Sequence, residues 1–143
     1  MTVAAILAGK GRDVLTTTAD KTVAEAVEVL AKRRIGALVV VEGGNRIVGI
    51  ISERDIVRAI AATAGEALKQ PVSSIMTRTV VTCGEGETIN EVMTRMTRGR
   101  FRHLPVAANG RLAGIISIGD VVKARIEEVE HEAEEMRAYI ATA

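Results

Sequence analysis

Thr22-Val-Ala-Glu-Ala-Val27 returns 66 residues later as Thr88-Ile-Asn-Glu-Val-Met93, and Gly49-Ile-Ile-Ser-Glu-Arg-Asp55 returns 65 residues later as Gly114-Ile-Ile-Ser-Ile-Gly-Asp120. This internal repeat constrains the chain more than any other feature, because one supersecondary unit must be built twice within 143 residues. The residue lost between the copies falls in a turn, where Glu42-Gly-Gly-Asn-Arg46 shortens to Ala108-Asn-Gly-Arg111.

Each copy reads as the same run of elements. Thr22 and Thr88 stand three residues before Glu25 and Glu91, a capping box that satisfies the free N–H groups of a helix start. Val23, Ala26, Val27 and Leu30 follow at helical spacing, as do Ile89, Val92, Met93 and Met96. The apolar runs Ile35–Val41 and Phe101–Val106 predict strands, each followed by a turn and a second strand at Ile47–Ile51 or Leu112–Ile116. Asn109-Gly110 is the dipeptide of a tight hairpin. A second helix begins near Ser52 and Ser117, and Val14–Thr16 and Val80–Thr82 offer one short strand ahead of each first helix. The expected fold is α/β (α+β): two tandem β-α-β-β-α repeats over residues 8–63 and 74–126, with 62–73 as linker. Neither copy buries enough surface to be secure alone, so the halves are expected to pack about a pseudo-two-fold axis.

The end of the chain follows another rule. Val122, Ile126, Val129, Ala133, Met136 and Ile140 step by four and three, with charged residues between them. A long C-terminal helix is expected, its extension over 127–143 either covering the chain's own core or joining a second subunit.

Composition removes several classes of function. An apolar fraction of 48% suffices for a core, and a net charge of +1 gives no global attraction to a polyanion or an acidic membrane. One Phe, one Tyr and no Trp leave little to stack bases, so nucleic acid is not an expected partner even for the basic stretch Arg95–His103. The N-terminal apolar stretch lacks a basic flank and is too short for a signal peptide or a span; with the single Cys83, this points to a cytoplasmic protein without membrane contact. Gly9-Lys10 is followed by Gly11 and lacks the upstream glycine of a P-loop. His103, His131 and Cys83 lie in unrelated segments and make no zinc set, and Cys83 reads as a half-buried thiol beside a turn. No catalytic residue and no metal site are expected.

The duplicated Gly-Ile-Ile-Ser-x-x-Asp is the segment in which the chain resembles a cystathionine-β-synthase (CBS) domain pair, or Bateman module, over nearly all but its C-terminal helix. Read as residues alone, Ser52-x-x-Asp55 and Ser117-x-x-Asp120 are also good helix caps. A helix start is an anion site, and a carboxylate there can accept both hydroxyls of a ribose. The resemblance implies that Asp55 and Asp120 accept ribose hydroxyls in a cleft between the copies, while Ser52 and Ser117 face phosphate. It sets Thr77 and Val80 opposite Asp55, and Lys10, Gly11, Arg12 and Val14 opposite Asp120, with Ile35, Gly36, Ala37, Ile50 and Ile115 as walls. Ile51 and Ile116 read better as core. Lys32, Arg33 and Arg98 read as solvated helix ends, where cations favour the dipole. Arg100, Arg102 and His103 bracket the start of a strand, and the resemblance brings the Arg/His pair to phosphate. Arg54 has Gly119 as its counterpart, so the two sites are expected to differ.

The implied function is a non-catalytic regulatory sensor of an adenine nucleotide (AMP, ATP or NAD), a homodimer passing its signal to a separate protein effector. The alternative is a ligand-independent dimerisation scaffold.

Overall fold

Thr22 and Thr88 start the same helix twice. In each, the threonine hydroxyl accepts the N–H of the glutamate three residues on, and that glutamate accepts the threonine N–H, all at 3.2 Å. The helices are α2 (Val23–Arg33) and α5 (Ile89–Gly99). The first buries Val23, Ala26 and Leu30 and the second Ile89, Val92 and Met96, as the spacing predicts. Both end on an arginine in the left-handed region, Arg34 (φ 54) and Arg100 (φ 56), a position usually given to glycine.

The structure is a computed structural model and describes residues 1–142. The chain divides into two units. The Asp55 unit contains Asp13–Thr82 and Ala107–Ala113; the Asp120 unit contains Met1–Arg12, Cys83–Val106 and the chain from Gly114 onward.

In the Asp55 unit, β1 (Thr16–Thr17) runs parallel to β2 (Ala37–Glu42), which pairs antiparallel with β3 (Arg46–Ser52). The register runs from Ala37 opposite Ser52 to Val40 opposite Gly49, then shifts. The core gathers Val23, Ala26, Leu30, Leu38, Val40 and Ile51 with Val72 and Met76. Residues 62–73 are more than a linker. Helix α3 (Glu53–Thr63) runs into a 3₁₀ turn at Ala64–Lys69, and α4 (Val72–Ile75) follows. Segment 70–72 docks beside the start of α2, where the Val23 N–H donates to the Gln70 carbonyl at 2.8 Å and the Val72 N–H to the Lys21 carbonyl at 2.7 Å.

The Asp120 unit repeats this plan with a segment from the far end of the chain. Residues 3–10, where the periodicity predicts no element, form α1 (Val3–Lys10) and bury Val3, Ile6 and Leu7. Helix α1 docks beside the start of α5: the Val3 N–H donates to the Glu87 carbonyl at 2.9 Å and the Ile89 N–H to the Met1 carbonyl at 3.1 Å. Thus each copy packs against the segment that precedes the other copy in the chain.

The hairpin arms β4 (His103–Ala108) and β5 (Arg111–Ser117) are joined by Asn109 (φ 55) and Gly110 (φ 76). Two positive φ values in succession define the primed turn that this dipeptide predicts. The first-copy hairpin instead closes through three residues, Gly43–Asn45, which accounts for the change of offset.

Two expected strands are shorter than predicted. Val14–Thr16 contributes only at Thr16, and Val80–Thr82 forms no strand; its neighbour Cys83 makes a single parallel bridge to Val106. The pairs Thr17 with Val40 and Cys83 with Val106 occupy equivalent places in the repeat. Pairing stops because the chain turns at once, held by Thr18 on Asp20 and by the Gly84 N–H on Glu87, both at 2.5 Å. Cys83 is therefore buried rather than half-buried. Burial, then the Glu87 charge, pushes its thiol up to about 11 against a smaller opposing pull from Arg95.

Helix α6 (Ile118–Thr142) is continuous through the second copy and the C-terminal extension. Among the described residues no helix is long and apolar enough to cross a membrane.

Candidate functional site: two capped carboxylates

The sequence Ser-x-x-Asp folds twice into a capping box. At the start of α3, the Ser52 Oγ accepts the Asp55 N–H at 3.3 Å, and Asp55 Oδ2 accepts the Ser52 N–H at 2.9 Å and its hydroxyl at 3.0 Å. At the start of α6, the Ser117 Oγ accepts the Asp120 N–H at 3.1 Å and Asp120 Oδ2 accepts the Ser117 N–H at 2.8 Å. The loop before each strand pair anchors the same helix turn: the Gly36 carbonyl accepts the Glu53 N–H at 3.0 Å, and the Arg102 carbonyl accepts the Ile118 N–H at 2.8 Å.

A cap needs nothing more, yet each carboxylate has a further partner. Thr77 donates its hydroxyl to Asp55 Oδ1 at 3.1 Å. Thr77 is itself tied to β3 by two backbone bonds with Ile50, at 2.8 and 3.0 Å. In the Asp120 unit Lys10, the last residue of α1, donates to Asp120 Oδ2 at 2.7 Å and to the Ile115 carbonyl at 3.0 Å. Ile50 and Ile115 are equivalent residues of the repeat, so the two straps use one anchoring place, through backbone in one unit and through an ammonium in the other. The two sites differ in chemistry: a neutral hydroxyl meets one carboxylate and a cation the other.

Two glycines admit the straps. A Cβ on Gly49 would stand 2.7 Å from the Met76 sulfur and 3.1 Å from the Thr77 carbonyl oxygen, and one on Gly114 would stand 2.8 and 2.9 Å from the Leu7 methyl carbons. Both glycines belong to the repeated motif. A glycine inside a strand is the sequence signal of a close approach, and it is the signal by which these two straps could have been anticipated.

Desolvation is the largest influence on Asp120 and raises its pKa, but the Lys10 hydrogen bond, the Ser117 N–H and the Lys10 charge together hold it below the ordinary aspartate range. A carboxyl depressed in the folded state adds stability that is present above its unfolded pKa of about 3.9 and is lost as pH falls through the folded value. In Lys10→Met the Asp120 pKa is expected to rise, moving this loss to higher pH. A carbon-detected NMR titration of the Asp120 carboxyl reads the change, and an unmoved midpoint would show that the ion pair does not hold the carboxylate.

The other sequence candidates fall into three groups. Ile50, Ile115, Ile35 and Gly36 are half-buried near the helix starts, whereas Ala37 is buried and Ile51 and Ile116 are fully core. Arg54 is exposed on the first turn of α3, Arg100 is the exposed left-handed end of α5, and Arg102 is exposed with its carbonyl on Ile118. His103 opens β4 and is half-buried. Arg12 pairs with Glu85 instead of turning to Asp120, because the Lys10 ammonium already neutralises that carboxylate. Gly11 (φ 98) ends α1, its N–H on the Leu7 carbonyl at 2.7 Å. Val14 and Val80 are half-buried, both in the Asp55 unit. Among the described residues no group of three or more His, Cys, Asp or Glu could hold a metal ion.

A helix, two strands and a helix built twice, each second helix opening on a strapped Ser-x-x-Asp box, define a duplicated α/β module. The chain belongs to the CBS domain family, whose model matches residues 10–62 and 72–127. It is 35% identical over 147 residues to the mitochondrial CBS domain-containing protein CBSX3 of Arabidopsis thaliana, covering 97% of this chain and 71% of that protein. The crystal structure of the CBS-domain containing protein ATU1752 from Agrobacterium tumefaciens is 50% identical with a TM-score of 0.83, covering 87% of this chain and 99% of that one. The CBS domain pair of MJ0100, solved in complex with 5′-methylthioadenosine and S-adenosyl-L-methionine, is 27% identical with a TM-score of 0.78, covering 90% and 98%.

Proposed function

We propose that the chain is a non-catalytic regulatory module that binds an adenosine-containing ligand, with Asp55 and Asp120 as separate ribose acceptors. One observation carries this reading: in both copies a side chain from a distant strap converges on the capped carboxylate, which a helix cap by itself does not require. Asp120 Oδ1 takes no hydrogen bond among the described residues, so it can accept a ribose hydroxyl without breaking the cap. Lys10, Ser117 and the α6 start supply cationic and N–H character for a phosphate beside that ribose. At Asp55, Thr77 supplies only a hydroxyl and Arg54 is the nearest cation in sequence. The two ligands of the MJ0100 pair extend the candidates from AMP, ATP and NAD to thioether and sulfonium adenosines. Regulation follows from differential affinity, since a ligand shifts a conformational equilibrium only as far as it prefers one state.

Calorimetric titration of AMP, ATP, NAD and S-adenosylmethionine into wild type, Asp55→Ala and Asp120→Ala tests the assignment. Each substitution is expected to remove one binding event, weakening it at least tenfold, and to leave the other. Unchanged binding in both variants would overturn the reading, and no nucleotide-induced rise in thermal stability in wild type would favour the scaffold alternative.

A further inference from the structure

Strands β3 and β5 pair antiparallel where they begin, with Arg46 directly opposite Arg111. Both residues lie in the Asp55 unit, which takes in Ala107–Ala113. They are also equivalent in the repeat, 65 residues apart like Gly49 and Gly114. The Ile47 N–H donates to the Gly110 carbonyl at 3.4 Å, which makes Arg46 and Arg111 a non-hydrogen-bonded pair. In such a pair the Cα atoms are about 4.5 Å apart and the two side chains leave the same face of the sheet. Like charges placed directly opposite destabilise a sheet.

The surroundings do not relieve this repulsion. Arg46 and Arg111 are exposed, and among the described residues neither guanidinium has an ion-pair or hydrogen-bond partner. Glu42 stands opposite Arg46 on β2, yet makes no ion pair with it. The Arg111 guanidinium carbon lies 3.8 Å from the point where a Cβ on Gly44 would stand. That side chain therefore lies over the first hairpin turn, two residues from Arg46, and the two cations share one end of the sheet.

We propose that Arg46 and Arg111 together bind one phosphoryl dianion. A guanidinium donates through a planar fork that takes two oxygens of its acceptor. A carboxylate has only two oxygens, enough for one fork, whereas a phosphoryl group has oxygens for both. Its two negative charges also match the two cations, so the bound anion turns a repulsive pair into two charge-assisted contacts. Arg46 opens β3 and Ser52 closes it, which separates them by roughly 20 Å at about 3.3 Å per residue. The site is thus distinct from the Asp55 carboxylate, and the inference does not depend on ribose binding there.

Titration of the full chain with inorganic phosphate is the test, read through the arginine Nε–H signals in nitrogen-15 NMR at constant ionic strength with chloride as the balancing anion. The Arg46 and Arg111 signals are expected to shift along one binding curve while that of Arg58, exposed on α3, stays still. Arg46→Gln and Arg111→Gln should each weaken binding roughly tenfold, and Glu42→Gln should tighten it. Without phosphate, Arg111→Gln is expected to melt no lower than wild type, because it loses only a repulsion; added phosphate should raise the melting temperature of wild type alone. Repeating the titration with AMP in Asp55→Ala/Asp120→Ala identifies the source: tighter binding of AMP than of phosphate at the arginines assigns the group to a nucleotide, and the reverse assigns it to the free ion. Arginine signals that respond to phosphate no more than to chloride, or binding that survives in Arg46→Gln/Arg111→Gln, would overturn the proposal. Loss of nucleotide binding in the aspartate variants leaves it standing, since neither carboxylate takes part.

Discussion

Leu7→Ala is expected to destabilise the chain by about 2–5 kcal/mol and Gly114→Ala by about 1–3 kcal/mol, while the double variant falls well short of their sum. Leu7 is 1% exposed on α1, and its methyl carbons stand where a Cβ on Gly114 would go. Truncating Leu7 leaves a cavity; adding the alanine methyl overfills the same place. Each change therefore relieves the other, and the coupling should be about 1–2 kcal/mol in the favourable sense. Urea unfolding of the four proteins measures it. Strict additivity would mean that α1 does not rest on β5 in solution, and the placement of Lys10 on Asp120 would lose its support.

The equivalent position in the other unit should behave differently. Gly49→Val is expected to cost about 2–3 kcal/mol, lowering the melting temperature by roughly 4–12 °C. Met76→Ala should not rescue it. The nearest atom to the new Cβ is the pliable Met76 sulfur, but the next is the Thr77 carbonyl oxygen at 3.1 Å, which is backbone and pairs with Ile50. Truncating a side chain cannot move it. Because Thr77 also donates to Asp55, the variant is expected to lose the binding event at Asp55 and keep the one at Asp120. Rescue by Met76→Ala to wild-type stability would show that the clash is with the side chain alone.

The legibility of this fold in its sequence depends on range. The capping boxes at Thr22, Thr88, Ser52 and Ser117 join residues three apart, so spacing alone reveals them. The Asn109-Gly110 turn is as local, since both positive φ values are properties of those two residues. The N-terminal helix was not legible, because its eight residues are apolar on several sides and lack the acidic first turn of α2, α3, α5 and α6. Its partners are 80 or more residues away at Glu87 and Gly114. The fate of Arg12 was equally hidden: the resemblance set it opposite Asp120, and Glu85 received it.

The sequence by itself determined a duplicated α/β unit, its helix starts, its turns, and the two Ser-x-x-Asp boxes, because those features rest on hydrogen bonds and periodicities that close within one helical turn. Family likeness, not spacing, implied that Lys10 belongs with Asp120 and Thr77 with Asp55. Only the tertiary structure decided how each strap reaches its carboxylate, across 110 residues in one unit and 22 in the other. That decision is made by the missing side chains of Gly49 and Gly114, which let one segment of backbone or helix lie flat against a strand. It is a property of contact at distance: a glycine within a strand signals that something approaches closely, not which segment does.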